Sequence, residues 1–277
     1  MSVSRKRRVL NDDEYEDVID ANERWKSTSK WTSFQVERFR GFFENGVLED
    51  IAGEFDISQV QLYPDAERIL MPGIETINRE LPSELPEQCV AFYNHLSQLS
   101  LFNDELPVDA VSHDLLLFTG FESQKLHFRP KPRLAITWRE HRITSEADYG
   151  VYKLPLKGKG LTVYLAIVEN KSGSKGWDWA VEHQLFGELV LAVVNRLSVN
   201  TQDQMVFGIV MQSSFLRFYS AYFPKEYLAD LIKDKTPEQN IEIKRYPGTV
   251  PLDLMDVSER EQIVRILHAI RMRIESL

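Results

Sequence analysis

The run Leu161-Thr-Val-Tyr-Leu-Ala-Ile-Val168 constrains this chain more than any other segment. It is rich in β-branched and aromatic residues and apolar with almost no alternation. A strand with one wet face alternates polar and apolar residues, whereas a strand covered on both faces does not. The run therefore predicts an interior strand of a sheet with layers on both sides. It ends on Glu169-Asn170-Lys171, and the glycines Gly173 and Gly176 then interrupt the chain. Trp177–Leu197 follows with apolar residues at helical spacing, among them Leu185, Phe186, Leu189, Val190, Val193 and Val194. A buried strand feeding a long amphipathic helix is the unit of an α/β or α+β core.

The flanking segments extend this unit. Leu134–Trp138 and Tyr149–Leu154 read as strands before it, and Met205–Met211 and Phe215–Phe223 as strands after it, with Ser213-Ser214 at the turn between them. Val108–Phe118 reads as a helix ahead of the strands. Ser258–Ile274 reads as a closing helix, with Ser258 and Glu261 in capping-box spacing. Nearer the N-terminus, Phe34, Phe39, Phe42 and Phe43 interleave with charges as in a short amphipathic helix, and Glu87–Leu101 reads as another. The expected organisation is a charged, flexible leader over 1–30, an N-terminal helical region over 31–107, and an α/β core with its C-terminal helix over 108–277.

Composition narrows the class. The 277 residues carry a net charge of −9, which argues on average against nonspecific binding to nucleic acid. The average conceals a division. Between Asn11 and Asp56 thirteen acidic residues face five basic ones. Between Gln124 and Thr144, Lys125, Arg129, Lys131, Arg133, Arg139 and Arg142 face only Glu140. That second stretch suits a phosphate backbone, or equally a charged edge that protects a sheet from pairing. The lone Cys89 leaves no intramolecular disulfide or Cys-rich zinc site and points to the cytosol or nucleus. Arg5-Lys6-Arg7-Arg8 is followed by acids rather than by an apolar run, so no signal peptide is expected. The basic run reads as a nuclear-import signal, a nucleic-acid arm or a solvated tail. No segment approaches the length of apolar chain that a membrane helix needs, and no membrane partner is expected.

The chemistry lies at the strand ends. Glu169 and Lys171 are two residues apart and leave the same face of their strand. Asp148 precedes the neighbouring strand, so the two acids converge if those strands pair. Carboxylates with water and phosphate oxygens bind Mg²⁺. A metal held so polarises a phosphodiester and acidifies a bound water. A lysine alongside orients the water and offsets the charge that builds on phosphorus. Each residue also has a plain structural reading: Glu169 and Lys171 as an ion pair at a strand end, Asp148 as a turn residue. Other chemistries fit worse. The histidines His113, His127, His141 and His183 lack metal-ligand spacing, and Gly173-Ser-Lys-Gly176 lacks P-loop spacing. Ser213 and Ser214 lack a nucleophile-elbow context. Trp177 and Trp179 either stack on bases or pack against the sheet.

Asp148, then Glu169-Asn170-Lys171, then a helix carrying Gln184, resembles the PD-(D/E)XK nuclease superfamily over residues 108–223. The resemblance implies a restriction-endonuclease-like αβββαβ core with a mixed central sheet flanked by helices. Its first helix would lie in Val108–Phe118 and its meander near 134–138, 149–154 and 161–169. It implies Asp148 and Glu169 as ligands of Mg²⁺ or Mn²⁺, Lys171 as the catalytic lysine and Gln184 as a catalytic-site glutamine. Glu182 and His183 are lesser candidates on the same helix, and Asp114 is a candidate for an additional acid on the first. Ala147 stands where many members have proline, and Glu188 where one subgroup has tyrosine. The expected function is hydrolysis of DNA or RNA in the nucleus or cytoplasm. The alternative is an inactive nuclease-fold module that binds nucleic acid, or a protein through the N-terminal helical region.

Overall fold

The computed structural model describes residues 27–71, 84–102, 104–139, 141–153, 163–173, 177–196 and 202–277. The basic run at 5–8 and nearly all of the expected leader lie outside them. Helix α1 (Ser33–Arg38) starts where the Gln35 side chain accepts from the Thr32 backbone N–H at 2.9 Å. It is shorter than the aromatic spacing predicts. Arg40 takes a left-handed conformation, with φ of 57°, and turns the chain into strand β1 (Gly41–Asn45). Phe42 and Phe43 thus alternate on a strand: Phe42 is exposed, and Phe43 meets the Tyr219 ring edge-on. Gly41 lies so close to Phe186 that an added Cβ would sit 2.4 Å from the ring. The segment expected to be helical therefore contributes a strand to the main sheet. Short helices α2 (Leu48–Ala52) and α3 (Pro64–Arg68) follow, then the longer α4 (Glu87–Gln98) and α5 (Glu105–Phe118). Asp104 caps α5 by accepting from Leu106 N–H at 3.0 Å.

Strands β2 (Leu126–Pro130), β3 (Arg133–Trp138), β4 (His141–Glu146), β5 (Tyr149–Lys153) and β6 (Val163–Lys171) lead to the long helix α6 (Ala180–Arg196). After it come β7 (Gln204–Gln212), β8 (Phe215–Phe223), α7 (Lys225–Ile232), β9 (Ile241–Tyr246), β10 (Leu252–Asp253) and α8 (Val257–Ser276). The main sheet runs β1-β9-β8-β7-β6-β5-β2, with β10 on β8. It is mixed: β6 with β7 and β1 with β9 are parallel, and the other pairs antiparallel. Helix α6 makes the crossover that the parallel β6–β7 pair requires.

The meander differs from expectation. Arg133–Trp138 does not join the main sheet; it pairs with β4 as a separate hairpin. The strand beside β5 is β2, so the meander is 126–130, 149–153 and 163–171. The reason is visible in burial. Leu134 and Trp138 are buried while Arg133, Ala135 and Thr137 are exposed, the alternation of a strand with one wet face. The hairpin lays Leu134, Trp138 and Ile143 on α6 instead.

The sheet separates two cores. On one face Val168, Ile209 and Phe218 pack with α4, α5 and α8 through Phe92, Leu115 and Ile263. On the other Ile167, Val210 and Tyr219 pack with α6 through Leu185, Leu189 and Val190. Adjacent residues of β6 thus enter opposite cores, as its unalternating sequence requires. Helix α8 is capped by Asp256, which accepts from Glu259 N–H at 3.0 Å. The expected Ser258 cap is not used, because Asp256 already sits at the position before the first turn. No helix among the described residues is long and apolar enough to cross a membrane.

Helix α8 also buries His268 completely, with neither ring nitrogen hydrogen-bonded. Burial pushes its pKa down to about 4, and the Arg271 and Arg265 charges add to the fall. The unfolded chain therefore takes up a proton near pH 6.5 that the folded one refuses until about 4. Stability should fall as pH drops through that window, by about 1–2 kcal/mol at pH 5 for this residue. Denaturant melts of His268→Leu against wild type at pH 7.5 and 5 check this; an unchanged difference between the two proteins would refute it.

Candidate active site

Strand β6 delivers its final residues to the edge of both cores. The side chains of Glu169 and Lys171 lie on the α6 face, where they form an ion pair. Asp148, immediately before β5, donates its backbone N–H to the Val168 carbonyl at 3.1 Å. Its Oδ2 accepts from the Asn170 N–H at 2.6 Å, and its Oδ1 pairs with Lys131. The pairing of Tyr149 with Val168 sets this contact. Asp148 and Glu169 thus stand at neighbouring strand ends, as the sequence predicts.

Gln184 reaches the same place from α6. Its Nε2 donates to Glu169 Oε1 at 2.7 Å and to Glu188 Oε1 at 3.0 Å. Glu188 Oε1 also accepts from Ser145 Oγ of β4 at 2.9 Å. The second oxygens of Glu169 and Glu188 are buried and have no hydrogen-bond partner. Behind the site, Asn170 Nδ2 donates to Asp109 Oδ1 of α5 at 2.8 Å.

Charge dominates this cluster. Burial lifts the Glu169 carboxyl well above the ordinary carboxylate range, and the Glu188 and Asp148 charges lift it further, against Lys171. Burial pushes Glu188 up to about 7, opposed by the hydrogen bonds from Gln184 and Ser145. Burial also raises Asp109, opposed by Asn170. For Lys171 burial disfavours the ammonium, but the charge and hydrogen bond of Glu169 outweigh it and hold the amine protonated above its usual value. Lys131 is raised in the same way by Asp148. Like charges crowded out of water shift in these directions. Among the described residues no group of three or more His, Cys, Asp or Glu is arranged to hold a metal ion.

Other sequence candidates are placed elsewhere. Asp114 bonds His95 Nδ1 at 2.8 Å. It is five residues beyond Asp109, or roughly 140° around the helix, so only one of the two faces the strand ends. Glu182 bonds Arg245 and Tyr219 instead of joining Gln184. His183 is half-buried, and burial lowers its pKa. The basic stretch disperses: Lys131 joins the site, Arg133 pairs with Glu146, and Arg139 turns to Asp234 and Thr236. Lys125 lies 4.0 Å from Glu275, Arg129 stacks over Tyr164, and Arg142 is exposed on β4.

Glu188, Ser145 and Asp109 were not singled out by the sequence reading as site residues. Glu188 had a signal: it follows Gln184 by four residues and so shares its helix face. Ser145 had none, since its place depends on the hairpin folding over α6. No family model matches the chain, and no curated protein matches it.

Removing the Lys171 ammonium should leave the buried Glu169 charge uncompensated. In chelator, Lys171→Met should lose about 2 kcal/mol of stability. Adding Glu169→Gln should recover most of that loss. Denaturant melts of the two single variants and the double variant measure the coupling; additive losses would mean the pair is not coupled.

Proposed function

We propose that the chain is a metal-dependent nuclease with a restriction-endonuclease-like core, acting on phosphodiester bonds of DNA or RNA. The order α5, β2, β5, β6, α6, β7 supports this reading, as does the place of Asp148, Glu169, Lys171 and Gln184 within it. The observation that carries it is the meeting of Asp148 and Glu169 at neighbouring strand ends beside Lys171, with the second oxygens of Glu169 and Glu188 buried and unpaired.

The orphaned oxygen of Glu169 fits a bound cation, and the charge of Glu188 behind it adds to the attraction. Unsatisfied buried carboxylate oxygens are costly, and a divalent ion offsets both their desolvation and their mutual repulsion. Asp148 and Glu169 would hold Mg²⁺ or Mn²⁺, with the remaining positions left to water and substrate oxygens. The bound ion supplies Lewis acidity toward the phosphate and an acidified water. The chain does the rest. The Asn170 N–H orients the Asp148 carboxylate, and the Gln184 amide orients Glu169. Lys171 stays protonated beside the scissile phosphate, where it offsets the growing negative charge and orients the attacking water. Lys131, half exposed on the Asp148 side, meets the phosphate backbone. The lone, buried Cys89 suits the reducing cytosol or nucleus.

One observation favours a second reading, an inactive nuclease-fold module that binds nucleic acid or protein. Lys131 and Lys171 already pair with the two acids, so their charge is partly balanced without a cation. Two measurements separate the readings. Wild type should cleave single- or double-stranded DNA or RNA in Mg²⁺ or Mn²⁺, and Asp148→Ala and Lys171→Ala should reduce the rate at least about 100-fold with unchanged circular dichroism. Calorimetry should show Mn²⁺ binding that Glu169→Ala abolishes. Failure of wild type to cut any of the four substrates would remove the enzymatic reading.

A further inference from the structure

A second cluster lies along the same sheet face, where α6 begins. Glu169 pairs with Val210 of β7, and Val210 with Arg217 of β8. Directly paired residues share a sheet face, so Glu169 and Arg217 lie in one row two strands apart, about 10 Å. The next row outward holds Lys171, Gln212 and Phe215. Gln212 ties the helix to the sheet by accepting from the Asp178 N–H at 2.8 Å.

Asp178 stands between Trp177 and Trp179, and both indoles meet guanidinium groups. Arg217 lies 4.6 Å from the Trp177 ring centroid and 4.5 Å from that of Trp179. Arg245 of β9 lies 4.7 Å from Trp179. Trp179 nevertheless remains 47% exposed. An exposed indole just ahead of a helix ordinarily loses conformational freedom when a ligand stacks on it. Here two cation–π contacts already hold the ring, so much of that cost is met in the free protein.

The two arginines are unequally served by their shared acid. Glu182 is hydrogen-bonded to Arg245 at 3.0 and 3.1 Å, but stands 3.7 Å from Arg217. Arg217 is fully buried; its Nη2 donates to the Thr249 carbonyl at 2.6 Å, while its Nε and Nη1 have no hydrogen-bond partner. A buried guanidinium with two unpaired donors keeps uncompensated donor capacity beside the indole. Phe215, a further aromatic at this end of the face, is 39% exposed.

We infer that Trp179, backed by Arg217 and Arg245, is a stacking platform for an unpaired nucleobase flanking the cleavage centre, so that the substrate is single-stranded there. The inference rests on the nuclease reading and narrows its substrate class. Bases in a duplex spend both faces on their neighbours, whereas an unpaired base offers a free face to an indole. Such stacking is tolerant of base identity, because every base has a π-face. The arginine charge behind the ring complements the phosphate that follows the base.

The test uses the full chain carrying Lys171→Ala, in Mn²⁺, with a fluorescein-labelled oligothymidine and a mixed-sequence duplex of equal length. Anisotropy should show tighter binding of the single strand. Trp179→Ala in that background should weaken single-strand binding about tenfold or more, the loss of one stacked base, and leave duplex binding unchanged. Trp179→Phe should retain most of it, which separates loss of stacking from loss of fold. Equal affinity of Trp179→Ala and its parent, or equal loss on both substrates, overturns the platform. If wild type cleaves while Trp179→Ala binds the single strand as well as its Lys171→Ala parent, the platform fails and the nuclease reading stands. If wild type cleaves nothing yet single strands bind through Trp179, the platform stands and the catalytic reading falls.

Discussion

The burial of Glu169 at the end of β6 is the constraint on which the rest of this structure turns. A carboxylate at the junction of two apolar cores is expensive unless its charge is met. The chain meets it from two directions, with Lys171 from the same strand face and Gln184 from the helix that covers it, while Asp148, held beside it by the backbone of Asn170, adds to the negative charge. Each contact fixes one element against another: α6 against β6, and the start of β5 against the end of β6. Glu188 then adds a second buried carboxyl, linked to the first through the Gln184 amide. The result is an excess of acid that two lysines balance only in part, leaving one oxygen of each glutamate unpaired.

The fold makes that arrangement affordable by placing it at an edge. Two cores, one on each face of a mixed sheet, hold β6 and β7 rigid, while the strand ends stay near solvent. Alternate residues of β6 serve different masters: Val168 enters the α4–α5–α8 core, and Ile167 enters the α6 core. Glu169 continues the Ile167 side just as the strand leaves the core. The β3–β4 hairpin, absent from the main sheet, covers α6 and carries Ser145 to Glu188. Across the same face, Arg217 and Arg245 share Glu182 and hold the two tryptophans at the start of α6. The acidic cluster and the arginine–tryptophan cluster therefore lie side by side across neighbouring strand ends of one sheet face.

Much of this was legible from local sequence, and the misses share a cause. The interior strand, the helix after it and the β7–β8 hairpin follow from runs long enough for their periodicity to be unambiguous. Asp148, Glu169, Lys171 and Gln184 were legible because strand and helix periods place them near common ends. The errors fell where a short segment had two possible partners. Leu134–Trp138 looks like a strand and is one, but its wet face sends it to a hairpin on α6 rather than into the sheet. Phe42 and Phe43 fit a helical spacing equally well until Arg40 turns the chain and Ile241–Tyr246 offers an edge to pair with. Asp114 and Asp109 are alike in sequence, and only the rotation of α5 chooses between them.

By itself, the sequence determined that a two-sided sheet strand ends in an acid and a base, that a long helix covers it, and that the average acidity hides a division of charge. These are properties of single elements, set by side-chain size, branching and period. Only the tertiary structure decided which strands flank β6, and that Glu188, Ser145 and Asp109 join its end while most of the basic stretch disperses to other partners. It also decided that Trp179 stays half exposed over two arginines brought from β8 and β9. Those outcomes depend on contacts between residues far apart in the chain. Such contacts are chosen by which packing buries the most apolar surface while leaving the fewest charges unmet, a balance that no local pattern contains.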